Sequence, residues 1–364
     1  MQLKEVIQYL ESIAPLSSQE SYDNSGLITG TSDMEITQAL ICLDSTEEVV
    51  DEAIKHGCNL IIAHHPIVFK GLKSLTGKTY VERVVLKCIK NDIALYAIHT
   101  NLDNFRFGVN DEIGRRLGLE QLHVLSPKIG VLNKITVFVP LENREQVAQA
   151  MFDAGAGSIG DYRSCSFFGE GTGTFTPVEG ANPYIGTSGT AEQVKENRLE
   201  LLVSTHHLAA VVRAMKESHP YEEVAYDVVA LQNSNAFEGA GMVGKLPVPM
   251  PVAAFLNFVK KEFNCGVIRH TKLVKSTIET VAFCGGSGSF LLKDAIRSKA
   301  DIYITGDFKY HEFFDAEDKL IIADIGHFES EQYTINLLSA ILTKKFPNFA
   351  LRLTTINTNP INYF

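Results

Sequence analysis

The sequence has no C-x-x-C pair, no cluster of basic residues and no long uninterrupted apolar run. Each absence removes a class of protein. The six cysteines, Cys42, Cys58, Cys88, Cys165, Cys265 and Cys284, stand far apart and mostly inside apolar stretches, which argues against a zinc knuckle or a redox dithiol and for buried free thiols in a reducing compartment. Lys and Arg total 33 against 43 Asp and Glu, a formal net charge of -10, so a nucleic acid or polyphosphate backbone is repelled at long range and no nucleic acid partner is expected. A membrane span needs about eighteen or more consecutive apolar residues, and none is present. The opening "MQLKEVIQYLESIAP" places Glu5 and Glu11 in an amphipathic helical pattern, unlike the apolar core of a secretory signal. A soluble, cytoplasmic protein without a membrane partner is the expectation.

What is present is a chain of 364 residues with 45% hydrophobic content, longer than one hydrophobic core usually supports, so two compact units are expected. From residue 36 apolar strands alternate with helices of 3.6-residue period: "ITQALICLD", "STEEVVDEAIKHG", "CNLIIAH", "TYVERVVLKCIKN", "IALYAIHT", "VNDEIGRRLG". Such alternation predicts the α/β class, with strands covered on both faces. Ser45 with Glu48 three residues on reads as a capping box. The alternation returns in "TVAFCGG", "SFLLKDAIRSKA", "DIYITGD" and "KLIIADIG", followed by one long helix from about Glu329 to Lys345.

The middle of the chain is different. "ITVFVP" and "VAQAM" are echoed by "LELLVS" and "VVRAM", and the spacing from Ile135 to Leu199 equals that from Val147 to Val211. A strand-helix-strand unit used twice predicts a ferredoxin-like α+β sandwich. Between the copies, "GEGTGTFTPVEGANPYIGTSGT" reads as a hairpin with a long loop, "HPYEEVAYDVVAL" as a turn into a strand, and "EGAGMVGKLPVPMP" as a hinge. Ligand-type residues gather at the two ends and not in the middle. We therefore expect a discontinuous α/β domain, residues 1–126 and 245–364, with an inserted domain over 127–244, in preference to three consecutive domains.

Three stretches end strands with metal-ligand residue types: "AHHP" (His64, His65), "HTNLDN" (His99, Asp103) and "DIGHFESE" (His327, Glu329, Glu331). Open α/β sheets bind ligands beyond the carboxyl ends of their strands, so the three can converge. His327 and Glu331, four apart where a helix begins, project from one face, whereas Glu329 points elsewhere. Three histidines and two carboxylates exceed the needs of one tetrahedral site, and a bridging carboxylate holds paired cations. Two divalent metal ions per subunit are expected. With no thiolate in the set, zinc, iron, manganese or cobalt suits the ligation.

"HHPIVFKGLKSL", "AIHTNLD", "GDFKYHE", "GHFESE" and "YDNSGL" together resemble the Nif-three-like family, known also as GTP cyclohydrolase 1 type 2 homologs or dinuclear metal centre proteins. The likeness covers nearly the whole chain. "GTFTPVEGANPYIG" and "HPYEEVAYDVVAL" resemble the inserted domain of the longer bacterial members, related to PII and CutA folds. The resemblance implies a ligand set of His64, His65, Asp103, His327 and Glu331, with Glu331 bridging, and a ring-like homohexamer built from trimers. Tyr22 departs from it, standing where many members carry Trp.

Several residues invite a second role. "CGGSGSF" joins a strand to a helix and reads either as a phosphate cradle or as a tight turn that needs glycine. Asp307, His311 and His99 are candidate orienting partners or proton carriers, and so candidate catalytic residues. Asp23 and Asn24 suggest an Asx turn. His206 and His207 read as helix-start residues, His219 as part of a turn, and His56 as the end of a surface helix. The expected activity is metal-dependent hydrolysis of a nucleotide-like or other small substrate, with GTP ring opening implied by the resemblance alone. The alternative is a non-enzymatic metal-binding, delivery or regulatory scaffold protein.

Overall fold

Along the strands that open the chain, neighbouring residues enter different cores: Ala39 and Ile41 pack on one side, Leu40 and Cys42 on the other. This period of two is what a sheet buried on both faces requires. The structure, a computed structural model, describes Met1–Phe364. It begins with α1 (Leu3–Ile13), β1 (Gly26–Thr29), β2 (Gln38–Cys42), α2 (Glu47–His56), β3 (Leu60–Ala63), α3 (Tyr80–Lys90) and β4 (Ala94–Ala97). One turn of helix, α4 (Thr100–Asp103), then α5 (Val109–Arg116) and β5 (Glu120–Ile129) follow. The helices have local reasons to start and stop. Thr46 caps α2 by accepting the Val49 N–H at 3.3 Å, Glu47 and Glu48 occupy the positive end, and Gly57 closes the helix at φ +70, each favourable to a helix terminus. The cap is thus Thr46 and not Ser45, which is buried one residue earlier.

The middle of the chain forms β6 (Leu132–Pro140), α6 (Arg144–Asp153), β7 (Ser166–Phe175), β8 (Glu192–Ser204), α7 (Thr205–Ser218) and β9 (Tyr226–Leu231). Residues Lys128–Ala236 make one compact unit, and Met1–Pro127 with Phe237–Phe364 make the other. In the smaller unit the sheet order is β7-β8-β6-β9, antiparallel throughout. That order, with a helix after the first and third strands, is the ferredoxin-like arrangement. Ile135, Val137 and Val139 of β6 and Leu199, Leu201 and Val203 of β8 pack beneath Val147, Met151, Val211 and Met215 of the helices. The glycine- and threonine-rich stretch pairs with β8 from Ser166↔Leu201 to Phe175↔Glu192, a long hairpin.

The chain ends with β10 (Ser234–Pro251), α8 (Val252–Glu262), β11 (Arg269–His270), β12 (Thr277–Ser287), α9 (Leu292–Arg297), β13 (Ile302–Gly306), β14 (Ile321–Asp324), α10 (His327–Glu331), α11 (Thr334–Lys345) and β15 (Ala350–Leu353). Two sequence expectations change here. The supposed hinge is strand β10, whose register with β12 shifts between Lys245 and Met250. Pro247, Pro249 and Pro251 alternate, so their missing N–H groups fall on one side of the strand and can be tolerated there. The single long helix is two, α10 and α11, the second starting at Thr334.

In the larger unit, parallel strands β15-β2-β3-β4 carry β1 antiparallel at one edge. A second sheet, β11-β14-β13-β12-β10-β5, has β12, β13 and β14 parallel. Ile41, Ile62 and Tyr96 of the first sheet share a core with Phe283, Ile304 and Ile321 of the second and with Leu10, Phe255 and Leu338 of helices. Outer cores lie under α2 and α3 on one side and around Leu292, Ala295 and Phe308 on the other. Both sheets send the carboxyl ends of their parallel strands to one cleft of about 700 Å³, lined by Asp44 after β2, His65 after β3, His99 after β4, Asp307 after β13 and His327 after β14. No helix is long and apolar enough to cross a membrane.

Candidate metal centre

His64 and His65 follow β3 directly, and their backbone N–H groups donate to Cys42 and Leu43 carbonyls at 3.1 and 2.9 Å, extending the ladder past the strand. His64 is wholly buried. Its Nδ1–H donates to the Ile98 carbonyl at 2.8 Å, which fixes the tautomer and leaves the Nε2 lone pair facing inward. That Nε2 is buried with no hydrogen-bond partner, and so is Asp103 Oδ1, 3.5 Å away. Asp103 arrives through the turn α4, its N–H bonded to the His99 carbonyl at 3.1 Å. A buried pair of acceptors facing each other without a shared hydrogen is costly. A cation between them removes the cost.

The second half of the cluster has the same character. His65 Nε2 lies 2.9 Å from Glu331 Oε2, His327 Nε2 lies 3.1 Å from that oxygen, and the two Nε2 atoms are 3.3 Å apart. His65 Nδ1–H donates to Asp44 and His327 Nδ1–H to Asp307, each at 2.7 Å. With both Nδ1 atoms committed as donors, neutral rings would aim two lone pairs at one carboxylate oxygen. Only protons or metal can hold that geometry. Burial pulls His65 and His327 down, but the carboxylates at either end of each ring outweigh it and lift them to about 9 and about 11. Burial works against ionising Glu331 as well, and is overcome by His327 and the other rings, so its carboxyl sits well below the ordinary range. Asp103 goes the other way, raised by burial and by the charge of Glu331. The ligand atoms of His64, Asp103 and Glu331, and of His65, His327 and Glu331, form two groups that could each hold a metal ion, as could those of His64, His65 and His99.

Gly286, at φ +62, permits Glu331 to enter. A Cβ there would sit 2.4 Å from Glu331 Oε1. In "CGGSGSF" this position is therefore a turn that needs glycine. Gly285 N–H donates to Asn110 and Gly286 N–H to Ser330, so neither points at a phosphate site.

All five expected ligands come together. His99 joins them, its ring 5.4 Å from that of His64 and its Nδ1–H on Asp23 at 2.8 Å. Asp307 orients His327, and that bond holds its carboxyl below the usual range; it is an orienting partner and not a free base. His311 is not at the site. Asp307 takes φ +60 and the chain turns into a 3-10 helix, leaving His311 exposed beside the rings of Tyr310 and Phe314. Glu329, as expected, faces away and accepts from Asn359. His206 and His207 lie in the first turn of α7.

Two orienting carboxylates were not foreseen in that role. Asp44 holds His65 and accepts in turn from Thr358 at 2.6 Å. Asp23 does not form the expected Asx turn: the Ser25 N–H donates to the Gln19 side chain, and the Asp23 carboxylate accepts instead from the neighbouring Asn24 N–H while holding His99 and Thr100. Outer carboxylates of this kind set ring orientation and ligand basicity. Asp44→Asn is therefore expected to weaken metal binding by about 10–100-fold while leaving the fold intact, as a competition titration against a chromophoric chelator would measure.

Histidines tied through Nδ1 to oxygen acceptors, with Nε2 atoms turned on the buried Glu331 carboxylate and the buried Oδ1 of Asp103 beyond the ends of parallel strands, define an α/β protein with groups that could hold metal. Residues 1–360 match the family model Duf34/NIF3 (NGG1p interacting factor 3), and the chain belongs to that family. It is 43% identical over 324 residues to a Halalkalibacterium halodurans protein named GTP cyclohydrolase 1 type 2 homolog, covering 88% of this chain and 87% of that one. A Bacillus subtilis protein of the same name is 39% identical over 366 residues, 99% of this chain and 98% of the other. Among solved structures, a Bacillus cereus protein related to NIF3 superimposes with a TM-score of 0.87 at 38% identity, covering 100% of this chain and 99% of that one.

Proposed function

We propose that this protein is a metal-dependent hydrolase of a small substrate, with His64, His65, Asp103, His327 and Glu331 holding two divalent cations and Glu331 bridging them. The observation that carries the reading is the convergence of buried lone pairs: His64 Nε2 and Asp103 Oδ1 unpartnered, and two imidazole Nε2 atoms on one Glu331 oxygen. Zinc, iron, manganese and cobalt all fit this N/O donor set. Such a pair would supply Lewis acidity and would bring the pKa of a bound water toward neutrality.

The chain's own part is orientation and proton handling. Asp44 and Asp307 fix the His65 and His327 rings through Nδ1 and keep Nε2 available. His99, with Nδ1–H on Asp23, faces the cleft with its other nitrogen free of those carboxylates and is positioned to carry a proton at Nε2. The names of the relatives make GTP-type ring opening one reaction to test, and the homohexamer implied by family likeness belongs to the same proposal. An elution volume matching a single chain would contradict the assembly.

Turnover decides the activity. Metal-replete protein offered GTP, phosphoesters and cyclic amides is expected to hydrolyse a member of the panel, to lose that activity on chelation, and to regain it on re-addition of the metal. Turnover that survives complete metal removal contradicts the reading. Metal passed to an apo-acceptor with no substrate consumed would favour a delivery protein instead.

A further inference from the structure

The walls of the cleft differ in chemistry from its floor. Tyr22, Phe69, Tyr80 and Phe290 line it, each at least half exposed, and Phe69 meets the His99 ring edge-on with centroids 5.8 Å apart. The aromatic wall therefore reaches the histidine cluster itself. No lysine or arginine is among the lining residues. Lys70 and Lys73, next along the chain, stand on an exposed loop outside the walls.

The floor is acidic. Asp23, Asp44, Asp103, Asp307 and Glu331 are the five carboxylates bound to, or lying between, the four histidines. Two divalent cations bring four positive charges against those five. With all five ionised, a fully loaded centre would keep one net negative charge, and no lysine or arginine in the walls would offset it. Sites that take nucleotide phosphates use Arg or Lys forks, free backbone N–H groups at a glycine turn, or open positions on metal ions whose charge exceeds that of their ligands. Here the forks are missing, and the N–H groups of Gly285 and Gly286 are spent on Asn110 and Ser330.

We propose that the cleft takes a planar, uncharged nitrogen heterocycle or cyclic amide, stacked against Phe69 and the neighbouring aromatic side chains, and selects against phosphorylated forms of such rings. The proposal names the substrate class for the hydrolase reading and rests on it for the reaction, but binding alone tests it. A flat neutral ring gains from aromatic stacking whatever its substituents, whereas a phosphate dianion meets the same-sign field of the floor.

Isothermal titration of the full-length, metal-replete protein, with guanosine, dihydrouracil and GMP as probes, separates the cases. At low salt guanosine is expected to bind at least about tenfold more tightly than GMP, and GMP is expected to gain affinity as salt screens the repulsion. Phe69→Ala, on the wall and outside the ligand set, is expected to weaken guanosine by about tenfold without changing metal content. GMP binding more tightly than guanosine, with affinity falling as salt rises, overturns the proposal. So does failure of every neutral ring to bind. Neutral rings that bind but are never hydrolysed would remove the hydrolase reading and leave this inference standing. Tight binding and hydrolysis of GTP would do the reverse.

Discussion

Glu331→Gln protein is expected to purify nearly free of metal, falling from about two ions per chain to almost none. Glu331 is the one acid common to both carboxylate-bearing ligand groups: Oε1 lies 3.8 Å from His64 Nε2, and Oε2 lies within 3.1 Å of the Nε2 atoms of His65 and His327. Glutamine keeps the volume but offers one neutral oxygen and an N–H₂ that repels both the rings' bound protons and a cation. The loss exceeds the tenfold to hundredfold that removing an outer partner such as Asp44 costs, because a ligand shared by both positions disappears. Stability falls as well. Removing one member of a buried charged cluster costs about 3–5 kcal/mol, and His65 is held between the buried Glu331 on one side and Asp44 on the other. Elemental analysis and urea unfolding check the two effects separately. A variant that retains two ions per chain contradicts the bridging role.

Metal affinity is expected to climb steeply with pH. His65 is lifted to about 9 in the metal-free protein, so at pH 7 a cation must displace its proton before binding. Well below that value each pH unit weakens apparent affinity about tenfold, and His65 alone makes binding at pH 7 about 50-fold weaker than at pH 9. His327, raised further, adds to the slope in the same sense. Titrations in buffers of different ionisation enthalpy should show proton release on binding. The sign for folding is opposite. A histidine whose folded pKa exceeds its unfolded value near 6.5 contributes its full stabilisation below that value and loses it as pH rises through the folded pKa. Metal-free protein should therefore lose stability between about pH 6.5 and 9, whereas metal-loaded protein, its rings already deprotonated, should not. Affinity that is flat over this range would mean that the histidines are not the ligands.

The histidine and carboxylate cluster is legible in the sequence because its members sit where a regular element leaves a signature. His64 and His65 end an unbroken apolar strand, and His327 and Glu331 have helical spacing at a strand end. Parallel strands align their carboxyl ends within each sheet, and both sheets end at one cleft, so residues far apart in the chain meet there. Asp44 carried the same signal, lying just past β2 in "ICLDS", and was overlooked because a lone aspartate after a strand has no local partner to mark it. Asp23 reads as an Asx-turn residue; its N–H instead closes a backbone turn on the Glu20 carbonyl, and its hold on His99 depends on a contact with a residue 76 positions away. His311 was misplaced for a backbone reason. Its distance from Asp307 suits the site only if the strand runs straight into an α-helix, and the left-handed turn at Asp307 redirects the chain. The prolines after Gly244 suggested a break because composition does not reveal that alternate positions spare one side of a strand.

Elemental analysis of the purified protein combined with anomalous scattering from its crystals tests the central claim most directly. The account predicts two transition-metal ions per chain, about 3.5–4 Å apart, both within bonding distance of Glu331 and enclosed by His64, His65, Asp103 and His327. Under metal-replete conditions, no anomalous peak at this position, or peaks elsewhere in the chain, would contradict it.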